Sequence, residues 1–122
     1  MAQPEIKTEE IASIEDFRVW KAYEPDEEVT WHIEFGKVTV HFFAEEWEEF
    51  IELKNQFVNI PLKTTGVLGE TDNYYASCEK TEAGDIYYTI ELCGDSPDVF
   101  LDFFEEDWKL ICDMLRPLQI EK

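Results

Sequence analysis

Residues 31–53 read WHIEFGKVTVHFFAEEWEEFIEL, and residues 88–114 read YTIELCGDSPDVFLDFFEEDWKLICDM. With a longer loop allowed in the second stretch, Ile33-Glu34-Phe35 lies on Ile90-Glu91-Leu92. Val38, Val40, Phe42, Phe43 and Trp47 then lie on Val99, Leu101, Phe103, Phe104 and Trp108. A pattern said twice at a spacing of about sixty residues is a repeat, and it decides the architecture before any motif does.

Within the first copy, Gly36-Lys37 suits a two-residue hairpin turn, with glycine supplying the positive φ of the first central position in a II′ geometry. The register follows: Phe35 faces Val38, Glu34 faces Thr39, Ile33 faces Val40 and His32 faces His41. Alternation puts Trp31, Ile33, Phe35, Val38, Val40 and Phe42 on one face. The other face takes Thr30, His32, Glu34, Thr39, His41 and Phe43. Apolar spacing then changes to the helical period over 45–57 (Trp47, Phe50, Ile51, Phe57, with Leu53 on the flank) and again over 105–116 (Trp108, Ile111, Cys112, Leu115), where Pro117 ends the run. Both helices open on acids, which suit the positive end of the helix dipole, but neither has a Ser, Thr or Asp cap. Phe17–Tyr23 and Tyr74–Lys80 read as strands upstream of each hairpin, separated from it by the turns 24–28 and 81–85. Weaker strand patterns lie at 8–14 and 62–69.

Each unit therefore reads β-β-β-α, or β-β-β-β-α where the weaker pattern in front is a strand. The reading is a single α+β domain over 1–122, built from repeats at about 8–58 and 62–118. A pseudo-two-fold would relate the copies, with antiparallel sheet packed against two helices. One such unit alone covers its apolar faces poorly, and two copies solve that.

Charge limits what such a domain can meet. Twenty-nine acids against ten bases leave a net charge of −19. That field repels polyanions and steers cationic partners, and the few cations cannot displace counterions from a phosphate backbone. Direct nucleic-acid binding and adhesion to an anionic membrane are disfavoured. Four Trp, five Tyr and nine Phe separate the chain from disordered acidic tails. Cys78, Cys93 and Cys112 have no metal-type spacing, and Met1–Glu5 has neither a basic nor an apolar region. The expectation is a reduced, cytoplasmic protein.

The run Val40-His41-Phe42-Phe43-Ala44-Glu45-Glu46-Trp47 and its counterpart Leu101-Asp102-Phe103-Phe104-Glu105-Glu106-Asp107-Trp108 each carry a strand into an acidic helix start. In this the chain resembles the repeats of PUR and PC4-like proteins, which place several antiparallel strands before one helix. The resemblance implies a sheet that binds single-stranded nucleic acid through basic and aromatic residues. This chain departs from that pattern, with Glu34, Glu91 and Asp102 at the sheet positions.

Several constellations could carry chemistry. His32 and His41 are the only histidines, side by side in the hairpin register, and cross-strand neighbours can share a metal ion, with Glu34 close by. The second copy has Thr89 and Asp102 there, so the fold does not need imidazoles. Solvated sheet residues are the plainer reading, and a small metal enzyme the lesser one. Gly94-Asp95-Ser96-Pro97-Asp98 gathers oxygens without the alternation of an EF-hand, which suits incidental calcium at most. No nucleophile motif or phosphate loop is present. The reading is a non-enzyme without a cofactor.

What remains is acid mixed with exposed aromatic surface: Phe43, Tyr87 and Phe100 among the acids of 24–28, 45–52 and 95–107. The function expected is a protein-binding domain, a nucleic-acid mimic that occludes a basic surface on a partner such as a nucleic-acid-binding protein. Glu45, Glu46, Glu48, Glu49 and Glu52 form one contact patch. Phe100, Asp102, Glu105, Glu106 and Asp107 form the other. The alternative is a self-associating PUR/PC4-like scaffold, a homodimer.

Overall fold

The computed structural model describes residues 7–24, 28–93 and 98–119. The start Met1–Glu5, most of the turn 24–28 and the oxygen-rich loop 94–97 lie outside the described residues. The order is β1 (Lys7–Ile14), β2 (Phe17–Tyr23), β3 (Val29–Phe35), β4 (Val38–Phe42), α1 (Ala44–Phe57), β5 (Gly66–Glu70), β6 (Tyr74–Lys80), β7 (Ile86–Leu92), β8 (Val99–Phe104) and α2 (Glu105–Leu115). Strands β1 to β4 form one antiparallel four-stranded sheet in sequence order, and β5 to β8 form a second in the same order. The class is α+β, and the chain is two tandem β4α units. Each unit does have its fourth strand: β1 matches the pattern at 8–14, whereas β5 begins only at Gly66, four residues into the pattern at 62–69.

The chain divides into two compact units, Met1–Glu48 and Glu49–Lys122. In the first, the hairpin pairs as its alternation requires, His32 with His41 and Ile33 with Val40. Gly36 supplies the positive φ of 67° at the turn. Val19 and Ile33 are fully buried and sit opposite one another in register. Trp47, on the first turns of α1, stacks on Trp31 at 5.9 Å and meets Phe42 edge-on. Glu46 repairs the missing cap. Its carboxylate accepts the Phe43 amide at 3.0 Å, one half of a capping box.

In the second unit, Ala76, Ile90 and Leu101 form a buried row across β6, β7 and β8. Trp108 of α2 stacks on Tyr88 at 4.7 Å and lies 4.9 Å from Phe57, so one ring joins sheet, α1 and α2. Lys54 is buried and donates through Nζ to the carbonyl of Leu118, holding the segment after α2. Burial pushes its pKa down. Arg116 does similar work, donating to the carbonyl of Val58 at 3.1 Å.

Strand β5 lies close to α1 because of one residue. Register shifts between Val67 and Gly69, and a Cβ on Gly69 would stand 3.0 Å from Gln56 Cβ and 3.2 Å from Leu53 Cδ1. With glycine there, the Gln56 amide reaches β5 and both donates to and accepts from the backbone of Glu70, at 3.0 and 2.9 Å. Gly69→Ala is expected to lower stability by about 1–3 kcal/mol through this overpacking, read as the urea midpoint at constant m. An unchanged midpoint would show that α1 and β5 can part without loss.

Candidate functional site

Period-two alternation in β6, β7 and β8 turns one set of residues inward and leaves the other on the open face of the second sheet. The pairings arrange that open face in rungs. Glu70 pairs with Tyr75, Tyr75 with Glu91, and Glu91 with Phe100, so acid and aromatic alternate across all four strands. The next rung is Val67, Ser77, Thr89 and Asp102, and the third is Glu79, Tyr87 and Phe104. Phe100 is 60 % exposed and Phe104 70 % exposed, so two large rings stand in water beside the carboxylates.

Over this face lies an open depression of about 840 Å³, lined by the five carboxylates Glu70, Asp72, Glu79, Glu91 and Asp102 together with Tyr75, Tyr87 and Phe100. No Lys or Arg lines it among the described residues. Tyr87 donates to Glu79 at 2.6 Å, and Thr89 donates to Asp102 at 2.7 Å. The bond to Glu79, and after it burial and the neighbouring negative charges, holds the Tyr87 phenol above its usual range. These bonds fix the direction of two carboxylates and leave acceptor lone pairs for a ligand.

The structure distributes the residues expected from the sequence as follows. Phe100 and Asp102 are on the depression. Glu105, Glu106 and Asp107 form the first turn of α2; Glu105 is half-buried and the other two are exposed. Glu45, Glu48 and Glu52 are exposed on α1, while Glu46 is occupied by the Phe43 amide. Glu49 is held in place. Its carboxylate accepts from Thr71 Oγ1 at 2.5 Å and from the Asn73 amide and side chain at 2.6 and 2.9 Å.

Tyr75, Glu79 and Phe104 complete the face and were not singled out by sequence reasoning. A signal existed for Phe104, which the repeat aligns with Phe43, an exposed residue at 57 %. Phe43, Tyr87 and Phe100, expected on the outer side, are exposed or half-buried.

In the first unit, the corresponding sheet face holds Trp20, His32 and His41 in one rung, half-buried, buried and exposed in turn. Arg18 lies 5.3 Å over the Trp20 ring and donates to Glu34 at 3.3 Å. His32 is buried, and burial, then the His41 charge, push its pKa down against the opposing pull of Glu24. Among the described residues, no three His, Cys, Asp or Glu side chains gather as a metal-ion set. The three cysteines are free, and burial pushes Cys112 up to about 12. No helix among the described residues is long and apolar enough to cross a membrane.

Fold and face together define an acidic tandem β4α protein with an acid–aromatic sheet surface. The chain matches no protein-family model, no curated protein and no solved structure.

Glu49 generates a pH prediction. Desolvation raises its pKa, but the bonds from Asn73 and Thr71 outweigh it and set the folded value below the ordinary 4.5. Folding therefore favours the ionised form. The contribution is complete above pH 4.5 and disappears as pH falls through the lower folded value. Glu49→Gln should be less stable than wild type at pH 7 by about 1–2 kcal/mol, and the gap should narrow in acid. A gap independent of pH, measured by urea melts from pH 7 to 3, would contradict this.

Proposed function

We propose that this chain is a non-enzymatic binding protein that docks the open face of its second sheet on a basic surface of a partner protein. By covering that surface it acts as a nucleic-acid mimic, an inhibitor by occlusion. The observation that carries the reading is the alternation of acid and aromatic along the rung Glu70, Tyr75, Glu91 and Phe100.

A guanidinium or ammonium group placed there gains twice. Its charge meets a carboxylate, and its face or methylene stem lies on an aromatic ring, where the quadrupole attracts cations. Same-face residues recur along a strand every ~6.7 Å, and neighbouring strands lie ~4.8 Å apart, so the cations of one partner surface can be met several at a time. The net charge of −19 steers such a partner in and rejects nucleic acid itself. The exposed rings supply the apolar centre that charge alone lacks. The same charge opposes face-to-face pairing of two copies, which argues against the self-associating scaffold.

The test uses a synthetic arginine- and lysine-rich peptide, titrated calorimetrically at stepped salt. Binding should weaken as salt rises. Glu91→Lys with Asp102→Lys should lower affinity by about tenfold or more, and Phe100→Ala should lower it with no change in net charge. Glu48→Lys with Glu52→Lys, an equal charge change on exposed α1, should have a clearly smaller effect. Equal losses from the two double reversals, or an unaltered affinity in Phe100→Ala, would overturn the assignment of this face. A stable dimer closed over Phe100 would replace it with self-association.

A further inference from the structure

His32 is 7 % exposed, and its Nδ1 is buried without a hydrogen-bond partner, the one such side-chain atom among the described residues. A buried polar atom left unmet loses its hydration with no return. The other ring nitrogen is met. Nε2 lies 2.9 Å from Thr30 Oγ1, and Thr30 in turn donates to Glu24 Oε1 at 3.4 Å. In the tautomer in which the Thr30 hydroxyl donates to the carboxylate, Oγ1 accepts from Nε2–H and the lone pair of the neutral ring is on Nδ1.

This is the arrangement that orients a metal-binding imidazole, in which the nitrogen away from the ion donates into a chain ending on a carboxylate. Trp20 stacks on the ring at 5.1 Å and 4°, which fixes its plane. A second imidazole stands beside it. His41 pairs with His32 across the strands, with ring centroids 4.2 Å apart at 72°, and is exposed and able to turn.

The geometry points to a two-histidine site in which His32 Nδ1 and a ring nitrogen of His41 bind one divalent first-row ion, zinc or copper. Imidazole suits these ions. Glu34 is engaged by Arg18 through Oε2 at 3.3 Å, and the site is built from the two histidines. The remaining positions fall to water on the side of exposed His41. This inference does not depend on the proposed docking face, which belongs to the other unit.

Zinc titrated into the full chain, with the histidine ring nitrogens followed by ¹⁵N NMR, tests it. The acidic surface will attract cations in any case, so the readout is the imidazole. The expected result is a joint shift of His32 Nδ1 and one His41 nitrogen that saturates at one ion per chain, with His32 Nε2 still protonated. His41→Ala, a change at an exposed position, should weaken this binding at least about tenfold, and Thr30→Val should weaken it by about 10–100-fold while removing no ligand. The proposal is overturned if zinc leaves His32 Nδ1 unshifted, if only carboxylate neighbours respond, or if His41→Ala binds as wild type does.

Discussion

Strand register in the second sheet is the constraint on which the proposed binding surface depends. Ala76, Ile90 and Leu101 meet across three strands and are buried, so their neighbours Tyr75, Glu91 and Phe100 must share the opposite face. A slip of one residue would turn Glu91 and Asp102 into the core and Ile90 and Leu101 into water. The apolar row thus selects one register, and that register alone produces the alternation of acid and ring outside. Core and surface are two consequences of one pairing.

The two β4α units use this plan differently. In the first, the outer rung is Trp20, His32 and His41, and Arg18 neutralises Glu34. In the second, the corresponding face has no Lys or Arg among its described lining residues and places five carboxylates around its rings. Net charge alone would give a diffuse field; grouping the acids around Tyr75, Tyr87 and Phe100 gives that field a place to act. Some acids serve the fold instead. Glu46 completes the start of α1, and Glu49 clamps Thr71 and Asn73, so the density of Glu on α1 overstates its freedom to bind.

Much of this was legible in the chain itself. The hairpin register follows from Gly36-Lys37 and strict alternation, and the strands Phe17–Tyr23 and Tyr74–Lys80 match their apolar runs. Strand β5 was harder to see, because a register shift and Gly69 interrupt its alternation. Phe100 and Asp102 were visible as surface residues from the repeat. Tyr75 and Glu79 were not, since their place on the face depends on which strand lies beside them. The roles of Glu49 and Thr30 were hidden for the same reason, as the bonds to Asn73 and His32 depend on folded geometry.

The most direct test of the central claim, that cationic groups are received by the rings of the second sheet, is aromatic ¹H–¹³C NMR during titration with an arginine-rich peptide. Tyr75, Tyr87, Phe100 and Phe104 should shift together along one binding curve while exposed Phe43 of the first unit stays still. Shifts of equal size at Phe43, or none at Tyr75 and Phe100 when the peptide is bound, would contradict it.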